Sequence, residues 1–297
     1  MNARGTLHRR LFLPYWIRLG FAIPLLLWTV HASSATPPDV MTLVDDMKAA
    51  FEPARPSIRK VVISVSSDEG YEDARWVAAI ARKKIENEKR RLIVMLEPAS
   101  VEGIALLIRE RPEQEDAMWT YSPAVQRVRK VVAVDAYERF LRTDFTYSDL
   151  GFVDRSGQYR LLGQEKQAGV SAYKIEEVPK DSWYYSRIVT WIAMESHLPL
   201  RRDYYDRAGQ LWKTERFDQV VVVDGVPTPL RIRMHDVQEN RETELQMSEV
   251  RYDVELSNTL FDPERLPEVA TLPLWRPYRT QVSQEGESSP SNPASRE

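Results

Sequence analysis

The feature that most constrains this chain is a succession of short strand-like runs joined by turns, from Ser57 to about residue 256. In IRKVVISVSS, apolar Val61, Ile63 and Val65 recur at every second position, the period of a strand with one buried face. Ten further runs follow, most of them separated by Gly, Pro, Ser or Asp. A sheet of this size must curl or close, because unpaired edges are costly. We therefore predict one mainly β domain, residues 36–276, built on a large curved antiparallel sheet.

Three segments carry finer predictions about this sheet. Residues 73–91 (DARWVAAIARKKIENEKRR) have helical propensity, but their place between two strands favours one long strand. The apolar parity slips by one residue near Ser248, which is typical of a β-bulge. Asp224-Gly225 predicts a hairpin turn, and Pro227 and Pro229 mark the returning strand as an edge or bulged one.

Two helical segments are expected to cover the concave side of the sheet. The first lies within residues 36–52, where Asp39 is a candidate N-cap and Pro53 follows as an end signal. The second is expected at residues 135–142. The apolar stripe of the first helix has the helical spacing i, i+3, i+4, i+7 and i+11, and it consists of Val40, Leu43, Val44, Met47 and Phe51.

Both ends of the chain differ in composition from this domain. Residues 1–35 combine four arginines, the apolar run LGFAIPLLLWTV and the small residues ASSA, the order of a secretory signal peptide. We predict cleavage after Ala35 and export to the periplasm, with a short uncleaved anchor as the alternative. Residues 277–297 are rich in Ser, Glu, Gln and Pro and are predicted to be a disordered tail.

Composition excludes several classes of protein. The chain has no cysteine, so it has neither disulfides nor the N-terminal Cys of an acylated lipoprotein. Without the four arginines of the signal peptide, 37 basic residues face 44 acidic ones, a net charge near −7. This balance lacks the basic footprint of a nucleic-acid-binding protein.

Chemistry-bearing motifs are scarce. Only His197 and His235 remain after residue 35, without metal-ligand spacing, and the chain has no GxSxG elbow or glycine-rich phosphate loop. Asp144 and Asp149 could form a carboxylate pair for acid–base catalysis, but Asp is equally typical of caps and turns. We expect no catalytic residues, no metal and no cofactor, and hence a protein that is not an enzyme.

Aromatic residues supply the positive signal. Trp119 and Tyr121 share a strand face, as do Phe145 and Tyr147 if that stretch is extended, and Trp191 lies in a further strand. Such clusters are typical of a protein core or of an apolar ligand cavity under a curved sheet. The residues alone leave both readings open.

Two motifs carry a resemblance to a known family. W-x-Y-x-P, here Trp119, Tyr121 and Pro123, is followed by DFTYSDL at residues 144–150 and by hairpins ending in FDPERL. In this order, over roughly residues 55–266, the chain resembles the outer membrane lipoprotein-sorting protein family, which is similar to the carrier LolA and the sensor RseB. Arg142-Thr143 departs from the family pattern, which has a small residue two positions before the Asp.

The resemblance implies an unclosed, LolA-like β-barrel with helices over its concave face. It also implies a non-enzymatic periplasmic carrier, in which the 36–52 helix and the 135–150 insertion form a lid over an apolar cavity. The cargo would be lipoprotein acyl chains or another amphiphile, an inner-membrane transporter is a candidate partner, and the carrier is expected to be a monomer. A sensor on the same fold that reports to a membrane partner remains the alternative, and an enzyme on this scaffold is the third class. The residues expected to line the cavity or its lid are Val44, Met47, Trp119, Tyr121, Phe145, Tyr147, Leu150 and Trp191.

Overall fold

A computed structural model describes residues 38–67, 72–111, 116–132, 135–151, 157–180 and 184–280. The predicted signal peptide, residues 1–35, lies outside the described residues. So does most of the predicted C-terminal tail. The boundary between signal peptide and domain at residues 35 and 36 therefore stays a prediction.

In the part of the chain that the structure describes, thirteen strands form one sheet. The strands are β1 (Ser57–Ser66), β2 (Glu72–Ile85), β3 (Glu88–Glu97), β4 (Ala105–Glu110), β5 (Ala117–Ser122), β6 (Arg127–Val131), β7 (Gln158–Gln167), β8 (Val170–Val178), β9 (Arg187–Ala193), β10 (Pro199–Tyr205), β11 (Leu211–Val223), β12 (Val226–Asp236) and β13 (Arg241–Tyr252).

The order of the strands divides the sheet into two meanders. It runs β6-β5-β4-β3-β2-β1-β13-β12-β11-β10-β9-β8-β7, with every neighbouring pair antiparallel. Pairing of β1 with β13 joins the meanders, and the two edge strands, β6 and β7, are consecutive in sequence. The sheet is not closed, so the predicted mainly β fold with an unclosed, curved antiparallel sheet is confirmed.

Local sequence signals located several details correctly. Residues 72–85 form the long strand β2 rather than a helix. The register of β13 against β1 shifts between Ser248 and Arg251, where Glu249 has a φ of 51°, which confirms the bulge predicted near Ser248. Asp224 and Gly225, with φ values of 49° and 79°, make the tight turn between β11 and β12. Both values are those of a primed hairpin turn, which fits the twist of the strands.

The prediction that Pro227 and Pro229 place their strand at an edge of the sheet needs correction. β12 lies inside the sheet, between β11 and β13. However, β13 pairs only with residues 231–236 of β12, so the proline end of the strand is paired on the β11 side alone. Proline is tolerated there because no partner requires its missing N–H.

The two faces of the sheet bury separate apolar clusters. The inner core joins residues from strands far apart in the order, such as Ile108 of β4 and Phe217 of β11, which only the inside of a curved sheet can bring together. The outer core lies on the other face of β1–β5. β3 shows both: Ile93 and Met95 point inward, while Leu92, Val94 and Leu96 point outward.

The outer core is covered by the C-terminal part of the domain, a role that the sequence did not predict. After β13 the chain forms 3₁₀ turns at Asn258–Phe261, Pro263–Arg265 and Pro273–Tyr278, and one helical turn at Leu266–Val269. Phe261, Trp275 and Tyr278 are fully buried against β1–β5. Burying one such aromatic side chain stabilises a protein by about 2–3 kcal/mol.

This cover also corrects the predicted start of the disordered tail at residue 277. Tyr278 is 0% exposed, and Arg279 donates to the carbonyl of Leu96 at 2.9 Å. Ordered structure therefore continues through Thr280, whereas residues 281–297 lie outside the described part of the chain.

Of the two helices expected on the inner side, the first is confirmed and the second is not. Helix α1 spans Val40–Phe51, and Asp39 caps it by accepting from the N–H of Thr42 at 2.9 Å. The helix predicted at 135–142 is wrong, because only Asp135–Tyr137 form a 3₁₀ turn there. The chain then folds back on itself, so that residues 139 and 146 form a β-bridge and Phe140 and Phe145 both enter the inner core.

Candidate functional site

Helix α1 lies across the inner face of β7–β9. Leu43, Val44 and Met47 are at most 2% exposed and pack with Ile175 and Ile192 of the sheet. At the end of the helix, the ring of Phe51 meets that of Phe217 edge-on, with centroids 5.2 Å apart. The apolar stripe of the sequence is thus the surface with which α1 covers the inner face.

A second covering segment crosses between the two edge strands. It contains the DFTYSDL motif, and Tyr147–Leu150 form the short helix α2. Thr146 and Asp149 close a capping box: the N–H of Asp149 donates to Thr146 Oγ1 at 3.0 Å, and the N–H of Thr146 donates to Asp149 Oδ2 at 2.9 Å. Such a box satisfies two otherwise unpaired donors at a helix start. Asp149 is therefore a structural acid.

The buried lysine Lys213 of β11 ties this segment to the sheet. Its ammonium donates to the Asp144 carbonyl at 2.9 Å and forms an ion pair with Asp149 Oδ2 at 3.2 Å. Tyr185 OH donates to the other oxygen of Asp149 at 2.9 Å. Burial and the charge of Asp149 raise the pKa of Tyr185 well above its usual value, so this phenol stays protonated and is a donor rather than a base.

Asp144 makes a second link to the sheet. Its backbone N–H donates to Thr243 Oγ1 at 2.8 Å, and the Thr243 hydroxyl donates to Asp144 Oδ2 at 2.7 Å. The nearest cation is the Arg241 guanidinium, whose Nε lies 3.8 Å from Asp144 Oδ1. Burial raises the pKa of the Asp144 carboxyl against the opposing effect of Thr243. Asp144 therefore anchors the segment to β13, whereas Asp149, the second acid of the motif, pairs with Lys213 of β11.

Two small cavities remain beneath the covers. The α1 cavity, of about 80 Å³, lies between α1, α2 and the inner face, and its apolar wall includes Met47, Ile93, Phe145, Leu150 and Met247. The tyrosine cavity, of about 90 Å³, lies on the β8–β10 side, where Tyr185, Ile188 and Tyr204 face Met47. Ligand sites are typically about 300–1,000 Å³, so each of these two cavities has room only for a small molecule or a few waters.

One end of the α1 cavity is strongly basic. Arg59, Arg82 and Arg91, which we call the arginine cluster, lie on the inner side of β1, β2 and β3. Arg59 and Arg91 are buried and Arg82 is largely buried, and Arg82 and Arg91 line the cavity. Glu52, the residue that ends α1, forms ion pairs with Arg91 and, at 3.2 Å, with Arg82. Burial lowers the pKa of Arg82 and of Arg91 to about 10, so both stay cationic near neutral pH.

The floor between the two cavities holds a further buried ion pair. Arg202 Nη1 lies 3.4 Å from Glu215 Oε2, and the Tyr204 hydroxyl donates to the same oxygen at 2.7 Å. Burial raises the pKa of the Glu215 carboxyl. Burial also acts to lower the pKa of Arg202, but Glu215 and Tyr204 together with Glu177 outweigh it and hold that pKa above its usual value. The inner face is therefore amphipathic rather than purely apolar.

The eight residues predicted from the sequence fall on both sides of the sheet. Met47, Phe145 and Leu150 line the α1 cavity. Val44 lies in the buried face of α1, and Tyr147 packs against Phe140 with ring centroids 5.7 Å apart. These five belong to the covers.

The other three, all aromatic, do not face a cavity. Trp119 and Tyr121 belong to the outer core, because in β5 it is Met118 that points inward. Trp191 lies on the outer side of β9, where its indole N–H donates to Glu165 and Lys174 lies 4.8 Å from the ring centroid. The spacing of Trp119 and Tyr121 predicted that they share one face of a strand, but it did not predict whether that face is the inner or the outer one.

Sequence reasoning missed the buried charges of the inner face. A signal for them exists, because they continue the inward parity of apolar residues: Arg82 follows Ala78 and Ile80, and Arg91 precedes Ile93 and Met95. A charge at the inward position of a long strand is unusual enough to mark a site.

Within the part of the chain that the structure describes, no helix has the length and apolar character needed to cross a membrane. A comparison with functionally curated proteins gives no significant match. A family model that carries only the description "Uncharacterized protein" matches residues 87–268, more than half of the chain.

Three solved structures share the fold over most of their length. An outer membrane lipoprotein-sorting protein domain from Vibrio parahaemolyticus is 24% identical, with 76% of this chain and 97% of that chain covered and a TM-score of 0.71. A DUF1329 family protein from Desulfovibrio piger is 30% identical, with 78% and 100% covered and a TM-score of 0.71. A LolA superfamily protein from Nitrosomonas europaea is 20% identical, with 76% and 98% covered and a TM-score of 0.62.

These likenesses confirm the resemblance inferred from the two sequence motifs. The match to the Desulfovibrio protein spans its whole length at an identity that indicates a common family, while the other two show the shared fold. The chain belongs to the DUF1329 family and has the LolA-like fold of the outer membrane lipoprotein-sorting proteins.

Proposed function

We propose that this protein is a periplasmic carrier that binds the acyl chain of a lipoprotein or of another amphiphile between its curved sheet and its covers, and shuttles it toward the outer membrane. It acts by binding and release, without catalysis. The observation that carries the proposal is an inner face, apolar over most of its area, closed by a separate amphipathic helix. A predicted signal peptide supports the periplasmic location.

In this proposal the described conformation is the closed, unloaded state. Cavities of about 80 and 90 Å³ are too small for an acyl chain. Cargo must therefore displace a cover, and α1 is the better candidate because it precedes β1 and contributes no strand to the sheet. The α2 segment, in contrast, is held by Lys213 and Thr243.

Docking of α1 and binding of an acyl chain would contribute free energies of similar size. Burying Leu43, Val44 and Met47 contributes about 1.5–3 kcal/mol each. An acyl chain gains about 0.8 kcal/mol for each CH₂ that it buries, so about ten methylenes match the three side chains. Exchange of helix for cargo is then nearly balanced, as a carrier that must also release its load requires.

Delivery needs a donor and an acceptor, and we propose an inner-membrane transporter as the donor and a monomeric carrier as the mobile species. The alternative, a sensor on the same fold, would also bind a membrane protein but would not need to bind an acyl chain. Acyl-chain binding is therefore the first property to measure.

The decisive experiment combines native mass spectrometry of protein purified from bacterial periplasm with titration of a fluorescent fatty acid. We expect co-purified amphiphile or saturable binding of the probe. Met47→Trp should raise probe affinity several-fold, because Met47 lines both cavities and an indole overfills them, which weakens the docking of the helix that cargo displaces. Met41→Trp is the matched control, since Met41 lies on the same helix and is 41% exposed.

Two outcomes would contradict the proposal. Protein that is free of amphiphile and does not bind the probe is not a carrier of acyl chains. Equal affinities of the Met47 and Met41 variants for the probe would place the probe outside the inner face.

A further inference from the structure

The arginine cluster is an electrostatic arrangement that the fold alone does not require. Arg82 and Arg91 are directly opposite each other in the pairing of β2 with β3. Like charges at such positions repel each other and destabilise a sheet. Arg59, on β1, adds a third guanidinium. Burial, and after it the nearby charge of Arg82, lowers the pKa of Arg59 to about 10. Three buried cations thus converge on one end of the inner face.

The acids near this cluster are few. Glu52 contacts Arg82 and Arg91, and the charge of Glu110 acts on Arg91. Among the described residues, no carboxylate forms an ion pair with Arg59, whose guanidinium contacts Ser57 Oγ at 3.2 Å and Met247 Sδ at 3.9 Å. The cluster therefore depends on Glu52 for a large part of its compensation.

Glu52 is not part of the sheet. It ends helix α1, and its own carbonyl accepts from Lys89 Nζ at 3.1 Å. The C-terminal end of a helix also carries a partial negative charge, which favours nearby cations. When α1 leaves the inner face, Glu52 leaves with it, and Arg82 and Arg91 lose the carboxylate that pairs with both of them. An uncompensated buried charge is costly, so cargo that covers the cluster in place of α1 must replace this anion.

The cluster also has the right neighbour for an amphiphile. Arg82, Arg91 and Glu52 line the same cavity as the apolar side chains of Ile93, Phe145 and Met247. Guanidinium groups bind carboxylate and phosphate through paired, charge-assisted hydrogen bonds. One end of the cavity thus suits an anionic group, and the adjoining wall suits a hydrocarbon chain.

We propose that Arg82 and Arg91 form the binding site for an anionic headgroup, a carboxylate or a phosphate, of the amphiphile that this protein carries. Glu52 occupies this site in the closed state as an internal substitute for the headgroup. Loading exchanges one anion for another, and it couples recognition of the headgroup to displacement of α1. This inference rests on the proposed carrier function and adds to it a class of cargo.

The test compares ligands that differ only in their headgroup. Binding of palmitate, of palmityl phosphate and of palmityl alcohol to the full protein is measured by calorimetry below their critical micelle concentrations, with inorganic phosphate as the probe for a free anion. We expect the two anionic ligands to bind about tenfold or more tightly than the alcohol. Inorganic phosphate should not bind at millimolar concentration, since it has no chain to hold it.

The variant Glu52→Gln separates the internal anion from the fold. It keeps the shape of the side chain but removes its charge, so it should weaken the docking of α1 and raise the affinity for all three ligands several-fold, because each of them displaces Glu52. Glu268→Gln is the matched control, because Glu268 pairs with Arg265 on the exposed C-terminal cover. A combined Glu52→Gln/Arg91→Gln variant should lose the preference for anions while still binding the alcohol, and thermal unfolding confirms that it is folded.

The outcomes distinguish this inference from the proposed function. If none of the long-chain ligands binds, the carrier function itself fails. If anionic and neutral ligands bind equally, or if Glu52→Gln leaves every affinity unchanged, the carrier function stands and the headgroup site is overturned. Tight binding of inorganic phosphate would assign the cluster to a free anion, which also overturns it.

Discussion

The two faces of the same sheet are covered in different ways. The outer face of β1–β5 is apolar and lies under the C-terminal segment, which continues from β13 and buries three complete aromatic side chains. The inner face combines an apolar cluster with buried ions, and its covers are one amphipathic helix and one crossing segment. We expect a cover held mainly by buried aromatic side chains to stay in place, whereas the proposed function needs a cover held partly by ion pairs that a charged ligand can replace.

The largest expected effect is on the outer face. Trp275 is 1% exposed, and its indole N–H donates to the carbonyl of Val269 at 2.7 Å. We expect Trp275→Ala to lower the free energy of unfolding by about 3–5 kcal/mol, since it removes a large buried side chain. Urea unfolding measures this loss. Fatty-acid affinity of the folded protein should not change, and a change would show that the two faces are coupled.

Breaking the anchor of the α2 segment tests the inner face. Lys213→Met leaves Asp149 buried without its cation and should cost about 3 kcal/mol, as for other broken buried pairs. Adding Asp149→Asn should restore part of this stability, because the second change removes the uncompensated charge. Urea unfolding of both variants checks the order. A double variant less stable than Lys213→Met would contradict the role of the ion pair.

A matched pair of valine truncations, one in each cover, tests whether cargo displaces α1 but not the C-terminal cover. Val44 in α1 and Val269 in the C-terminal cover are both at most 3% exposed. Val44→Ala should weaken the docking of α1 and raise fatty-acid affinity several-fold, because cargo competes with the helix for the inner face. Val269→Ala should lower only the free energy of unfolding. Equal effects of the two variants on fatty-acid affinity would argue against α1 as the lid.

The smallest expected effect concerns pH. Burial raises the pKa of Asp144 above its usual 3.8, so folding favours the protonated form. Its contribution to stability is full below 3.8 and is lost as the pH rises through the raised pKa. The stability of the wild type relative to Asp144→Asn should therefore fall as the pH rises from 3.8, as urea unfolding at a series of pH values will show.

A control with the opposite sign lies in the turn between β10 and β11. Hydrogen bonds, the first from the N–H of Gln210, lower the pKa of Asp206 there. Relative to Asp206→Asn, the wild type should gain stability as the pH rises towards 3.8. Slopes of the same sign for both variants would contradict the assignment for Asp144.

Much of this protein follows from local sequence. Alternation at Val61, Ile63 and Val65 specifies a strand, Asp39 and the apolar stripe specify α1, and Asp224-Gly225 specifies a turn, because each depends on neighbouring residues only. The amphipathic character of α1 also identified Met47 as a residue of the site.

Only the tertiary structure decided which face of each strand is inside. The aromatic spacing of Trp119 and Tyr121 is the same for an inner and an outer face, and the C-terminal cover that receives them lies more than 130 residues further along the chain. The arginine cluster likewise needs β1, β2 and β3 side by side and the end of α1 above them. Periodicity is a property of one segment, whereas burial, ion pairing and a shared cavity depend on segments that folding brings together.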